Sequence, residues 1–199
     1  MAGMADLDDM KAALLYYLRR TRNDLIWKLD GLSEREARTP RTVTGNNLLG
    51  VVKHCLNVEA AYFGLAFGRQ FPTPEELVPL QAFDDDPQAD WYAREDETKD
   101  GLIDLYRRVA LFADETTDQL PLDAPGRVPW WRPGHQDVTL YRIILHVTGD
   151  LARHAGQADI MREHHDGAIG WHQDGTSIPD GYDWPAYVTK LRKLADHFA

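Results

Sequence analysis

A chain of 199 residues, 43% of them hydrophobic, can bury a sizeable core and fits one domain spanning 1–199. Its formal net charge of −10 argues against a nucleic-acid partner and against an anionic membrane surface, neither of which attracts an acidic protein. The start MAGMADLDD lacks the basic region of a signal peptide, no apolar run approaches the ~18 residues of a membrane helix, and the lone Cys55 cannot close an internal disulfide, so a cytoplasmic protein is predicted.

Leu7, Leu14, Leu18, Leu25 and Leu29 keep a near-heptad spacing, which predicts a first helix from Asp6 to about Gly31. Residues 33–46 carry Pro40, Gly45 and several Ser, Thr and Asn residues and read as a connection, with Thr44 or Asn46 suited to cap a second helix from Asn47 to Phe67. Leu48, Val51, Val52, Cys55, Val58, Tyr62 and Leu65 form the stripe of that helix. His54 lies at the stripe's edge and can point inward, although a single histidine there is more often a hydrogen-bonded boundary residue than a ligand. Glu59 falls on the other flank, where it could accept a hydrogen bond from behind a ligand but reads first as a surface or boundary carboxylate.

The stretch from Arg69 to about Pro87 holds four prolines and the run Asp84, Asp85, Asp86, so it reads as a long loop, either a lid or a solvated linker. A third helix follows from about Ala89 to Leu120, with Leu102, Leu105, Val109, Phe112 and Leu120 on one face. The next connection, PLDAPGRVPWWRPGHQD, is rich in proline and carries Trp130 and Trp131. The two indoles either cap the end of the helices or wall a ligand pocket. No alternation is long enough to defend a strand. The chain ends in a helix that Asp183 can cap, with Tyr187, Leu191, Leu194 and Phe198 on its apolar face. The predicted fold is all-α, a bundle of four core helices with an additional C-terminal helix packed on them.

The fourth core helix, Val138 to Asp166, is the most informative. Leu140, Ile143, Ile144, Val147, Leu151, Ala158 and Met161 recur at helical spacing. At ~100° per residue, Asp150 and His154 fall within the same apolar stripe, one turn apart. An ionised carboxylate facing a core requires a metal, a cation or a dense hydrogen-bond network, and Asp oxygen and His nitrogen are ordinary ligands for divalent transition metals. Taken alone, a D-x-x-x-H spacing in a helix is more often a purely structural Asp–His pair across one turn than a metal site.

His54, Asp150 and His154, together with the wording RHAGQADIMRE from Arg153 to Glu163, resemble the DinB/YfiT-like superfamily. NLLGVVKHCLNVEAAYFG around His54, PLDAPGRVPWW before the fourth helix and HHDGAIG after it are similar to the actinobacterial branch that includes mycothiol-dependent transferases. The resemblance implies a four-helix bundle whose metal ligands are one histidine of the second helix and a pair four residues apart in the fourth, here His54, Asp150 and His154. Asp150 departs from the usual His or Glu at its position. Gln157, where many members of this branch have His, lies one turn beyond His154 and is suited either to orient a bound water or substrate or to bond its helical neighbours. His146 lies one turn before Asp150 and is expected to hold that carboxylate rather than to ligate.

Two histidines and one carboxylate leave open positions on a metal, the mark of a catalytic site, with zinc favoured and nickel or iron able to occupy the same donors. The resemblance implies a metal-dependent transferase that activates a mycothiol-like thiol as nucleophile toward an electrophilic small molecule. It also implies a homodimer. Hydrolysis by a metal-activated water, non-haem iron chemistry, and a stress-related metal- or ligand-binding protein without turnover remain as alternatives.

Overall fold

A computed structural model describes residues 9–171, 179 and 181–199. The expected first turn of the first helix at Asp6, and residues 172–178 and 180 of the Gly- and Asp-rich segment 167–183 that follows the fourth helix, lie outside the described residues.

The first helix, α1, spans Met10–Trp27, and the Asp9 side chain caps it by accepting from the Ala12 N–H. Turns carry the chain on to Gly31, whose φ of +75° favours glycine. The connection that follows is not wholly irregular. Ser33 and Glu36 form a reciprocal capping box that starts a short helix, α2, over Glu34–Arg38, a signal that the Pro- and Thr-rich surroundings obscure. The second long helix, α3, covers Leu48–Phe63, and its cap is Asn47 rather than Thr44 or Asn46. It stops at Gly64, earlier than expected, and a single 3₁₀ turn over Leu65–Phe67 ends at Gly68 with φ +66°.

Helix α3 is the central element, in contact with α2 and with two later long helices, and it is therefore buried on most of its circumference rather than along one stripe. Leu49, Leu56, Ala60 and Phe63 join the expected Leu48, Val51, Val52 and Cys55 in the core, whereas Leu65 is exposed and Val58 and Tyr62 are half-buried. Each fully buried Leu or Phe contributes about 1.5–3 kcal/mol of hydrophobic stabilisation.

A one-turn helix, α4, over Ala82–Asp85 interrupts the long loop. The third long helix, α5, is Lys99–Gln119, capped by Thr98. Residues 89–98, expected to begin that helix, form a loop instead. Their carbonyls are taken by side chains of the preceding helices: Asn47 donates to Trp91 O, Lys53 to Tyr92 O, and Arg38 to Ala93 O, Arg94 O and Glu97 O. Backbone acceptors used in this way are not available for a helical ladder.

Two three-residue strands, β1 at Pro125–Arg127 and β2 at Asp137–Thr139, pair antiparallel with Gly126 opposite Val138, so the fold is mostly rather than wholly α. Strands this short, one of them holding Pro and Gly, leave no alternation to read. Helix α6 then spans Leu140–Asp166, capped by Thr139. Helix α7, Trp184–Asp196, has the predicted Asp183 cap and Pro185 in its first turn, but it buries none of its residues. The expectation that it packs on the core is not met: Leu191 and Leu194 stay exposed.

The long helices pack as α1 with α6, α3 with α5 and α3 with α6. Three cations are buried among them. Arg22 donates to both oxygens of Glu59, which is fully buried and also accepts from the Tyr106 hydroxyl, so Glu59 is a core residue and not the expected boundary carboxylate. Lys28 pairs with Asp159 at 2.8 Å and Lys53 with Glu97 at 2.8 Å. A buried charge is tolerated only with partners of this kind, and the pairs tie α1 to α3, α1 to α6, and α3 to the loop ahead of α5.

Candidate active site

Helix α6 presents Asp150 and His154 one turn apart, as their spacing predicts, and α3 brings His54 against them. One donor atom from each of the three lies within 4.8 Å of the others. His154 Nε2 is 3.7 Å from Asp150 Oδ2, beyond hydrogen-bond distance, so this is not the closed structural pair that the i, i+4 spacing alone would allow. The two imidazoles meet edge to face at 4.8 Å between ring centres.

Both rings are held from behind. His54 Nδ1 lies 2.8 Å from Asp90 Oδ2, and His154 Nδ1 lies 2.9 Å from Gln157 Oε1. Both partners are acceptors at those atoms, so each neutral imidazole carries its proton on Nδ1 and keeps the Nε2 lone pair free. Gln157 thus bonds its helical neighbour, one of its two expected roles. Asp90 carried no sequence signal, since it falls where a helix start was predicted and its partner is 36 residues away. It is 3% exposed, and its other oxygen, Oδ1, is buried without a hydrogen-bond partner among the described residues.

Trp91, next to Asp90, stacks on His54 at 4.1 Å with 17° between the planes and meets His154 edge-on. This loop lies unusually close to α3. A Cβ on Gly50 would sit 1.9 Å from Trp91 O, so only glycine admits the approach that carries Asp90 to His54.

The loop that carries the two indoles folds back over α3, its ends drawn together by the β1–β2 pair. Trp131 Nε1 donates to Tyr62 Oη at 2.8 Å and Trp130 Nε1 to the same oxygen at 3.4 Å. His146 Nε2 stands 3.2 Å from Tyr62 Oη, so the His146 ring is directed to Tyr62 and not, as expected, to Asp150. With two indole N–H groups donating to Tyr62, its own hydroxyl proton is the one left for His146 Nε2. Burial lowers the His146 pKa below the ordinary histidine value, which agrees with a neutral ring accepting there.

Two clefts open on either side of Trp130. One, of about 440 Å³, has His54, Val58, Phe83 and Trp91 in its walls. The other is a shallow groove floored by Trp130, Trp131, Arg142 and His146, with Arg142 4.8 Å above the Trp131 ring. Cys55 neighbours His54 in sequence but is buried in the core, and burial pushes its thiol pKa well up, so the site has no protein thiolate.

The donor set fits a divalent metal. Two imidazoles with fixed tautomers and one half-buried carboxylate converge, and each histidine has the outer hydrogen-bond partner common to metal ligands. Among the described residues no helix is long and apolar enough to cross a membrane. A search of curated proteins finds no match. A sequence model of the mycothiol-S-transferase family matches residues 13–167, a span that includes all three donors and the residues behind them. The chain therefore belongs to the mycothiol-S-transferase family, a DinB/YfiT-like family of transferase enzymes.

Proposed function

We propose that His54, Asp150 and His154 hold one divalent metal and that the protein transfers mycothiol to an electrophilic small molecule. The observation that carries this reading is the pair of oriented imidazoles, whose free Nε2 atoms flank Asp150 because Asp90 and Gln157 occupy Nδ1. Zinc suits two nitrogens and one carboxylate oxygen with open positions, and nickel and iron accept similar donors. When bound, the metal supplies the Lewis acidity that lowers a thiol pKa toward neutrality.

The chain's own residues do the rest. Asp90 keeps the His54 proton on Nδ1 and fixes the ring plane, and Gln157 does the same for His154. Trp91 covers one face of His54 and keeps water from it. The groove on the far side of Trp130 receives the polar end of mycothiol, whose thiol sits on an acylated cysteine and whose other end is two hydroxyl-rich rings. Along α6, His146 is about 6 Å and Arg142 about 12 Å from Asp150 at 1.5 Å per residue, a span that suits one ring beside His146 and Trp131 and the next beside Arg142. The sulfur then bonds to the electrophilic carbon as that carbon's leaving group departs with the bonding electron pair. Because Cys55 is shut in the core, the nucleophile comes with the cosubstrate.

We also read the chain as one DinB-like domain in which α1, α3, α5 and α6 form a four-helix bundle, acting in the cytoplasm as a homodimer. Light scattering at micromolar concentration gives a mass near twice 22.7 kDa if the dimer holds and the single mass if it does not.

Elemental analysis of protein purified without chelators, followed by mass spectrometry of mycothiol incubated with a panel of electrophiles, tests the function. About one metal per chain and conjugates formed above the uncatalysed rate are expected. Protein that stays metal-free after loading and desalting overturns the metal site. A metal-loaded protein that binds mycothiol yet conjugates nothing is a binding protein and overturns the transferase reading.

A further inference from the structure

We propose that the cleft walled by His54, Trp91 and Trp130 is the electrophile site and that it selects uncharged, predominantly apolar electrophiles. This rests on the thiol-transfer reading above and adds the class of the second substrate.

The cleft has the size of a small-molecule site, about 440 Å³, enough for one or two rings. Val58, Ala61, Val78, Leu80, Phe83 and Trp91 supply apolar wall. Its Asn, Tyr, Asp and His side chains offer no free donor: Asp90 Oδ1, which has no partner among the described residues, is a carboxylate oxygen, His54 Nε2 is an acceptor turned to the metal donors, and the rest are engaged. Asn57 Nδ2 donates to Lys53 O and Asn57 Oδ1 accepts from Val78 N–H, while Tyr62 Oη takes the two indole protons and faces His146. Asp90 Oδ2 is committed to His54. Among the described residues no Lys or Arg lines the cleft.

Charge points the same way. Among the described residues the ionisable groups at the cleft are His54, Asp90 and Tyr62, with Asp150 and His154 completing the metal donors, and the rim segment around Phe83 and Pro87 carries Asp84, Asp85 and Asp86. A carboxylate or phosphate on the electrophile would be desolvated here with no Lys or Arg and no free Asn or Tyr donor to meet it, and the charge of a bound divalent metal would be offset by Asp90, Asp150 and the mycothiol thiolate, which leaves the rim carboxylates as its neighbours. The cations Arg132 and Arg142 line the other groove, beyond Trp130. The two clefts therefore sort the two substrates by polarity, with the reacting sulfur between them.

In the reaction the mycothiol sulfur forms a bond to carbon. The bond from that carbon to its leaving group breaks, the leaving group departs with the electron pair, and the thiol proton passes to water. Carbon carries no net redox change and no further reactant is needed.

Kinetics with metal-loaded protein and saturating mycothiol compare benzyl chloride with 4-(chloromethyl)benzoate, matched at the reacting carbon and different in charge, each corrected for its uncatalysed rate. The neutral compound should be favoured in kcat/KM by at least about tenfold, the scale of one unsatisfied buried polar group. Phe83→Ala, at a half-buried position of α4, should raise the KM for benzyl chloride severalfold while mycothiol affinity by calorimetry is unchanged. Equal use of both compounds, or preference for the benzoate, overturns the proposal.

A second measurement works without turnover. In methyl-resolved NMR, naphthalene should shift the signals of Val58, Val78 and Leu80, and 2-naphthoate at the same concentration should not. Absence of naphthalene shifts, or shifts by both ligands, also overturns the proposal. Failure of mycothiol to bind removes the transferase reading alone, since the NMR comparison still decides the cleft.

Discussion

Replacing Asp90 isolates the effect of orienting a ligand from the effect of losing one. Asp90 is 3% exposed and its Oδ2 meets His54 Nδ1 at 2.8 Å, so the bond is short, buried and charge-assisted, roughly twice as strong as a neutral one. Loss of such an outer partner typically weakens metal binding by about 10–100-fold, or about 1.4–2.8 kcal/mol. Asp90→Asn keeps an acceptor but removes the charge, and zinc affinity should fall by roughly tenfold; Asp90→Ala also frees the ring, and the loss should approach about 100-fold. Gln157 is neutral and exposed, so Gln157→Ala should cost less than about tenfold. His146 bonds Tyr62, so His146→Ala should leave zinc affinity within about twofold of the parent and act instead on mycothiol affinity. The assay is zinc competition against a chromophoric chelator at fixed pH, with thermal unfolding of the metal-free proteins confirming that each variant is folded. An Asp90→Ala protein that is folded and binds zinc as the parent does, or a His146→Ala protein that loses more affinity than Asp90→Ala, refutes the assignment of the outer partners.

Gly50→Ala puts a methyl 1.9 Å from Trp91 O, so the 90–94 loop must move; a loss of about 1–3 kcal/mol in denaturant unfolding and a weaker zinc site are expected, and parental values for both would mean that the loop position is unimportant. Cys55 is fully buried with its thiol pKa raised by desolvation, so it should react with a chromogenic disulfide only after unfolding; reaction of the native protein at the rate of a free thiol would contradict the burial. Glu59→Leu strands the buried Arg22 guanidinium on Asp114 alone and should cost about 3–5 kcal/mol, whereas Arg22→Met combined with Glu59→Leu should recover a large part of it. A double variant no more stable than the single one would show that the pair contributes more than mutual neutralisation.

The sequence carries the parts of this protein that depend on local periodicity. The apolar repeat of α6 places Asp150 and His154 on one face without any tertiary information, and all seven apolar residues assigned to that face are buried. Where a residue's role depends on what comes from far along the chain, local pattern misleads. Glu59 reads as a boundary carboxylate and nothing local marks Arg22, Lys28 or Lys53 for the core, yet each is buried because a partner on another element neutralises it. Asp90 looks like the first turn of a helix, but the carbonyls around it are claimed by Asn47, Lys53 and Arg38, and the loop so formed delivers it to His54. The apolar face of α7 is periodic in the sequence and remains exposed, since amphipathic spacing indicates a helix but not what that helix packs against. His54 is recognisable through its resemblance to a family rather than through its spacing, because one histidine at a stripe edge has no local signature of ligation.

The central claim, that the site generates a thiolate from an external thiol, is tested most directly by the protons released when mycothiol binds. Calorimetric titration of the metal-loaded protein near pH 7, repeated in buffers that differ in ionisation enthalpy, gives that number without requiring an electrophile. Mycothiol free in solution is almost wholly protonated at this pH, so thiolate formation in the site should release close to one proton per thiol bound. His154→Ala, loaded in the same way, should release none. Mycothiol binding with no proton release by the parent protein would contradict the account, because the thiol would then be held but not activated.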